Sequence, residues 1–331
     1  MTSADPPIQR ILLPTDLSEF SSLALRHALA LARKFKTRLK VVYIIPRLAP
    51  VGEEMFLSAA WAAPAEVWKR AEEDVQTFMA SAREARIDYE MEIREGDPWR
   101  EILAAAEEMP ADLVVMGTHG RSGPEKFILG SVSEKLVRRL SCPVMTVGHE
   151  EGRTWETPGL ISRILCAVDF SRSSDRAFDF ALALAESHGA RITLLHSIEY
   201  MPDLGEARYR PVVPDPDPLR KEIERGAAER LEEAIDARRG EFVDVEVTPR
   251  LGVGRAYKEI LRAAADERAD LIVIGAQGHG LIEHLLSGSN AQQVIRKATC
   301  PVLTVRPRRT TTLPPADRPG SALAISLESR A

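Results

Sequence analysis

Cysteine is scarce in this chain: three in 331 residues, at Cys142, Cys166 and Cys300. An odd, sparse set does not build a disulfide framework, and it points to a reducing compartment. Each lies in or beside an apolar segment, where cysteine behaves as a small buried hydrophobe, and no close Cys/His spacing suggests a zinc site. Aromatic residues are also few, at 5%. Charge of one sign is not in large excess: the net charge is −5, with acids and bases interspersed. Without a basic stripe, a nucleic-acid surface is not expected. No apolar run approaches the roughly 20 residues that span a bilayer, and "MTSADPPIQR" lacks the apolar core of a signal peptide. The expectation is a cytoplasmic protein with neither membrane nor nucleic acid among its partners. Two phosphate-binding signatures are missing as well. There is no GxxxxGK[ST], which excludes a P-loop, and no GxGxxG after the first strand, which argues against a dinucleotide-binding Rossmann domain.

What the chain does contain is a long internal repeat. "RILLPTDLSEFSSLALRHALALA", from Arg10, aligns with "RILCAVDFSRSSDRAFDFALALA", from Arg163. "ADLVVMGTHG" aligns with "ADLIVIGAQG", and "SCPVMTV" with "TCPVLTV". Asp16 and Asp169 lie 153 positions apart, whereas Gly117 and Gly275, and Cys142 and Cys300, lie 158 apart. One unit of ordinary domain size has been duplicated. The expected organisation is a first domain over 1–148, a polar linker over 149–160 and a second domain over 161–306. Residues 307–331 are rich in Pro, Thr and Arg, have little to bury, and are expected to form a mobile tail.

Within each unit, short apolar runs alternate with amphipathic ones. "RILLPT", "RLKVVYII", "ADLVVMG" and "CPVMTV" read as strands. "SEFSSLALRHALALARKF", a stretch from about Ala65 to Arg86, "DPWREILAAAEEM" and "SVSEKLVRRL" read as helices. "IDYEMEIRE" alternates and reads as a more exposed strand. Apolar strands without alternation imply a mostly parallel sheet covered on both faces, and right-handed crossovers then give a doubly wound α/β domain. Such sheets bind ligands beyond the carboxyl ends of their strands. Asp16 and Gly117 both fall at such ends.

The stretch "GTHGRSGPEKFILGS", Gly117 to Ser131, places four glycines between a strand and a helix. Two readings fit. A phosphate held between the Gly117–Gly120 turn and the amides of Gly130, Ser131 and Val132 would explain both glycine pairs. Turn and cap geometry alone would explain them too. "GAQGHGLIEHLLSGS", Gly275 to Ser289, repeats three of the glycines at the same spacing, although a duplication would also copy an idle loop. Asp16 could accept hydrogen bonds from a ligand hydroxyl or amine, or it could cap the helix that follows. His119, Trp61 and Trp68 with Met55 and Phe56, and the charged runs of the long helices have readings as a loop histidine, core or interface packing, and solvated faces.

These residues resemble the universal stress protein family, whose ATP-binding members carry G-2x-G-9x-G-[S/T]. Gly117, Gly120 and Gly130-Ser131 fit that pattern, as do Gly275, Gly278 and Gly288-Ser289. "LLPTDLSEFSSLALRHA" is similar to the family's opening segment, "EGDPWREIL" to its G-x-P segment and "CPVMTV" to its closing strand. The resemblance covers nearly the whole chain and makes it similar to a tandem member. It implies two five-stranded parallel sheets and ATP bound with a divalent metal, Mg2+ or Mn2+. Asp16 would hold the nucleoside end with backbone help from Pro14, Thr15 and Ile44, and Gly117, Gly120, Arg121, Gly130, Ser131 and Val132 would line the ribose and phosphates. A possible second site would comprise Asp169, Ser197, Gly275, Gly278, Gly288, Ser289 and Asn290. It also implies that the closing strands pair to form an internal pseudo-dimer, with a homodimer possible beyond that.

The second unit departs from the pattern. "CAVDF" replaces "LPTDL", Ser197 replaces an apolar residue, and Glu283 would bring like charge near a phosphate. The first unit has Glu125, but Arg121 and Lys126 can offset it. ATP is therefore expected in the first domain more than in the second. The expected role is a stress-response regulatory protein. The alternatives are a scaffold that binds no nucleotide, or a slow ATPase; no nucleophile–base pair marks a catalytic residue.

Overall fold

The computed structural model describes residues 8–46, 64–118, 129–148, 161–199, 217–242, 244–276, 290–306 and 325–329. The chain divides into two compact units, Met1–Gly159 with Arg308–Ala331, and Leu160–Pro307. Each is α/β and is described by itself.

In the first unit the elements run β1 (Arg10–Thr15), α1 (Glu19–Phe35), β2 (Arg38–Pro46), α2 (Pro64–Phe78), α3 (Ala80–Glu84), β3 (Tyr89–Gly96), α4 (Pro98–Glu108), β4 (Leu113–Gly117), α5 (Ser131–Arg139) and β5 (Val144–Val147). The strands stand in the order β3-β2-β1-β4-β5, all parallel. Ile11, Leu12 and Leu13 of β1 are fully buried because helices cover both faces of the sheet, so an unalternating apolar run is stable there. Ser18 caps α1 by accepting a hydrogen bond from the Ser21 amide, and Lys36 ends it in the left-handed region at φ 53°.

The second unit repeats this plan with β6 (Arg163–Ala167), α6 (Arg172–His188), β7 (Arg191–Ile198), α7 (Asp217–Asp236), β8 (Val247–Val253), α8 (Ala256–Asp266), β9 (Leu271–Gly275), α9 (Asn290–Lys297) and β10 (Val302–Val305). Its order is β8-β7-β6-β9-β10, again parallel. Ser171 caps α6 through the Ser174 amide, and Gly189 ends it at φ 64°.

One clamp recurs at the amino ends of the central strands. The Asp112 carboxylate accepts from the Gln9 and Arg10 amides and from the Arg10 guanidinium through both oxygens. Asp270 likewise accepts from the Ser162 and Arg163 amides on Oδ2, and from the Arg163 guanidinium through Oδ1 alone. A carboxylate that receives a guanidinium and two main-chain donors fixes where β4 and β9 start against β1 and β6.

Three expectations change. The single helix expected from about Ala65 to Arg86 is two, α2 and α3, parted at Met79, which is fully buried. Strand β3 is not half-exposed, because Glu92 and Arg94 on its polar face are buried at 4% and 5% exposure. Glu92 lies 2.7 Å from Lys40 Nζ and 2.7 Å from Arg94 Nε, and Arg94 reaches Glu108 of α4 at 2.5 Å. Alternation signalled a polar face; mutual pairing let it be buried. Finally, Ile325–Ser329, within the expected mobile tail, form β11, which pairs antiparallel with β3 from Ile325–Ile93 to Ser329–Tyr89. The open edge of β3 supplies the partner that local composition did not announce.

Candidate functional site

In each unit the chain leaves the first strand toward one side of the sheet and returns on the other. The switch point therefore lies between β1 and β4, and between β6 and β9, where an α/β sheet offers a crevice at its carboxyl ends. Asp16 follows β1 and Gly117 ends the adjacent β4.

Asp16 does two local jobs. Its Oδ1 accepts from the Ser18 amide at 3.1 Å and from the Ser21 hydroxyl at 2.6 Å. Between Asp16 and Ser18, Leu17 is held at φ 64°, with its amide donating to Thr15 Oγ1 at 3.0 Å. A bulky residue in that region costs roughly 1–3 kcal/mol and persists only when its surroundings enforce it. The second unit repeats the device: Asp169 Oδ1 accepts from the Ser171 amide at 3.1 Å, and Phe170 sits at φ 61°. The helix cap itself is Ser18 or Ser171, two residues after the aspartate.

Gly117 is needed for a close approach. A Cβ there would meet Phe20 Cβ at 2.9 Å, so the first turn of α1 occupies the space a side chain would take. At Gly275 the obstruction is Ser173 Oγ at 2.6 Å and the Ser174 amide at 2.9 Å. Both glycines thus bring the first helix of the unit onto the end of the fourth strand.

The two ends of the glycine loop of the first unit are tied together. The Gly130 amide donates to the Thr118 carbonyl at 2.8 Å, and Ser133 Oγ donates to the Gly117 carbonyl at 2.9 Å. Gly130 is the cap of α5 and no side chain caps that helix, unlike α1 and α6. Ser131 is exposed and Val132 half-buried, so the first turn of α5 opens outward at the carboxyl end of β4. Trp99 of α4 helps hold α5 in place: Arg139 lies 4.5 Å and Lys135 5.5 Å from its ring centre. Tyr257 and Lys297 repeat that contact at 5.2 Å. Ser133, by contrast, is not repeated, since Ala291 stands in its place.

Pro14 makes a second difference. The Asp112 amide donates to the Arg10 carbonyl, so Arg10, Leu12 and Pro14 turn their main-chain groups toward β4. Proline has no N–H to give, and the β1–β4 ladder ends at Leu12–Val114. Its counterpart Ala167 has that N–H, and the β6–β9 ladder continues through Cys166–Val273 to Ala167–Ile274. The switch point is less closed by main-chain pairing in the first unit than in the second.

The remaining positions divide as follows. Thr15 and Ile44 are buried at the ends of β1 and β2, at 8% and 6% exposure. Ser197 donates to the Gly254 carbonyl at 2.9 Å, and the Asn290 side chain accepts from the Tyr257 amide at 3.4 Å. Gly120, Arg121, Gly278, Gly288 and Ser289 lie outside the described residues, as do His119, Glu125, Lys126, Glu283, Met55, Phe56 and Trp61. Trp68 is on α2, half-buried. Sequence reasoning missed Thr118 and Ser133, although serine at the third position of α5 was a visible signal. It also missed the layer over β6 and β7, where the Phe170 and His196 rings lie 4.6 Å apart and Arg230 stands 4.0 Å from Phe170.

Burial pushes the Cys142 thiol up to about 12 and the Cys166 thiol higher still, so neither supplies a reactive thiolate; Cys300 is buried as well. Among the described residues, no group of three or more His, Cys, Asp or Glu could hold a metal ion, and no helix is long and apolar enough to cross a membrane.

The model of the universal stress protein family matches residues 7–148 and again 161–306. The chain belongs to the universal stress protein family. A Methanocaldococcus jannaschii universal stress protein is 34% identical over 140 residues, 42% of this chain and 81% of its own length. A Thermus aquaticus member is 38% identical over 152 residues, 44% of this chain and 100% of its own. Each therefore corresponds to about half of this chain. A solved universal stress protein from Archaeoglobus fulgidus aligns with 90% of this chain and 96% of its own at 25% identity and a TM-score of 0.65. A Pseudomonas aeruginosa structure at 19% identity and TM-score 0.56, covering 91% of this chain and 94% of its own, shares the fold. Within this universal stress protein the two copies differ at the switch point, through Pro14 against Ala167 and Ser133 against Ala291.

Proposed function

We propose that this universal stress protein is a regulatory protein that binds ATP in its first domain, over residues 1–148, and in its second, over 161–306, weakly or not at all. The observation that carries this reading is the start of α5. It is a helix N-terminus without a side-chain cap, tied to the end of β4 by Ser133 and Gly130, beside a β1–β4 ladder that stops at Leu12–Val114. An uncapped N-terminus presents amide donors and the positive end of a helix dipole, which suits phosphate oxygens. Ser131 and Val132 would offer their amides to phosphates with Gly120 and Arg121, while Gly130, whose own N–H goes to the Thr118 carbonyl, would serve through the close approach a glycine allows. Asp16, Pro14, Thr15 and Ile44 would line the nucleoside end, with Gly117 between them. A magnesium or manganese ion would enter with the nucleotide, held mainly by phosphate oxygens and water, as magnesium usually is. In the second domain, Asp169, Ser197, Gly275, Gly278, Gly288, Ser289 and Asn290 are the matching positions. There the fuller β6–β9 ladder and the missing Ser133 counterpart disfavour equal occupancy.

ATP binding would favour one arrangement of the two domains over another, since a ligand stabilises the state it prefers. An internal pseudo-dimer through the closing strands, a homodimer beyond it and a cytoplasmic site of action belong to the same reading. The deciding experiment is to purify the chain without added nucleotide, denature it and count what is released. About one ATP or ADP per chain, lost in Gly130→Val and kept in Gly288→Val, is the expected result. No nucleotide released, together with no rise in melting temperature under excess Mg-ATP, would reject it.

A scaffold that binds no nucleotide is favoured by one observation. Gly117, Gly275, Asp16 and Asp169 all have local packing or hydrogen-bonding duties that account for them without a ligand.

A further inference from the structure

The outer edges of the two sheets are treated differently. In the second unit that edge is β8, and the Ile192 amide donates to the Glu246 carbonyl while the Gly254 amide donates to Ile198. Main-chain groups alternate along a strand, so the even-numbered residues of β8 face β7 and the odd-numbered ones face outward. Pro249 is odd-numbered and exposed. It removes a donor from the free side, a device that blunts an edge against strand addition. The register places Met91 of β3 where β8 has Pro249, since Leu39 pairs with Tyr89 as its counterpart Ile192 pairs with Val247. Tyr89, Met91 and Ile93 then face outward with every N–H intact. Those three residues are in register with Ser329, Leu327 and Ile325 of β11.

The segment that covers this edge is foreign to the repeat. The family match ends at residue 306, and 18 residues, 307–324, separate it from β11. Among the described residues, no strand pairs with the outer edge of β8.

We propose that the outer edge of β3 is a strand-acceptor site, absent from the second unit, and that Ile325–Ser329 is its tethered, separable ligand. Recognition is by antiparallel main-chain pairing, with an extended segment that alternates apolar and polar residues, Ile-Ser-Leu-Glu-Ser, as the occupant. A tether of this length gives an effective concentration on the order of millimolar, so a short strand of modest intrinsic affinity stays bound in the intact chain. The site is independent of nucleotide binding and stands if that reading fails.

The test uses the full chain and its Leu327→Pro variant, in which the strand loses the donor opposite Met91. Amide hydrogen exchange is followed over 89–93 and over 247–253. The expected result is exchange at least about tenfold faster over 89–93 in the variant, with 247–253 unchanged. A peptide of residues 320–331, GSALAISLESRA, added at about 1 mM, restores slow exchange to the variant, and the same peptide carrying the Leu→Pro change does not. Unchanged exchange over 89–93 in the variant would overturn the proposal. So would failure of the wild-type peptide to restore protection, which would make β11 a fixed part of the fold and not a separable ligand.

Discussion

Ser133 donates its hydroxyl hydrogen to the carbonyl oxygen of Gly117 across 2.9 Å, joining the first turn of α5 to the last residue of β4. The hydrogen bond closes the base of the glycine loop from inside the protein, since Ser133 is buried at 8% exposure. It sets where the amides of Ser131 and Val132 stand relative to the switch point, the Gly130 amide being committed to the Thr118 carbonyl. The second unit has Ala291 at this position and lacks the tie.

Ser133→Ala should therefore weaken Mg-ATP binding without unfolding the first unit. Losing one neutral hydrogen bond costs about 1 kcal/mol, or roughly a fivefold drop in affinity if the loss falls on the bound state. Titration calorimetry reads the affinity, and a thermal melt without nucleotide reads the structural share. An unchanged affinity would show that the tie does not position the loop.

Pro14→Ala restores an N–H that faces β4. The β1–β4 ladder should then extend toward that of β6–β9. The expected outcome is a higher melting temperature without nucleotide, by up to a few degrees for about 1 kcal/mol in a unit of this size, together with weaker nucleotide retention. Ala167→Pro should destabilise the second unit. Should Pro14→Ala retain nucleotide as wild type does, the length of the ladder would not govern access.

Gly117→Ala and Gly275→Ala should both destabilise the protein in the absence of any ligand. The added methyl collides with Phe20 Cβ at 2.9 Å in one and with Ser173 Oγ at 2.6 Å in the other. Forced contacts of this kind typically cost about 1–3 kcal/mol, readable in urea midpoints. If Gly117→Ala keeps its stability but loses nucleotide, the glycine serves the ligand and not the helix.

Acid should weaken the first unit through Glu92. Burial raises its carboxyl group, but the hydrogen bonds and charges of Arg94 and Lys40 outweigh that and hold it below its ordinary value of 4.5. A carboxylate lowered on folding contributes stability above its unfolded value, and that contribution is lost as pH falls below 4.5 through the folded value. Glu92→Gln should cost about 3 kcal/mol at neutral pH, because Lys40 and Arg94 lose a buried partner, and it should flatten the decline in acid. Parallel declines for wild type and variant in urea melts between pH 5 and 3 would show that other groups govern acid sensitivity.

Much of the architecture was legible because the duplication doubled each signal. Apolar, unalternating runs such as "RILLPT" identified buried parallel strands, and Asp16 and Gly117 fell at strand ends without any coordinates. The site was legible in part. Residue spacing located the start of α5, but the local duties of Asp16 and Gly117 depend on contacts with Ser21 and Phe20, whose approach is set by how α1 lies on the sheet. Strand β3 was misread for a related reason. Alternation reports that one face is polar, and it does not report that Lys40, Arg94 and Glu108 come together to satisfy Glu92.

By itself the sequence determined the family, the two units, the parallel arrangement of apolar strands and the places where the helices begin and end to within a few residues. These are local patterns, fixed by periodicity and by which residues can satisfy a helix end. Tertiary structure alone decided that Ile325–Ser329 joins β3, that Pro14 stops a ladder where Ala167 does not, and that Ser133 ties the glycine loop to β4. Each of those depends on which main-chain donors face which neighbour after folding, and no short stretch of sequence carries that information.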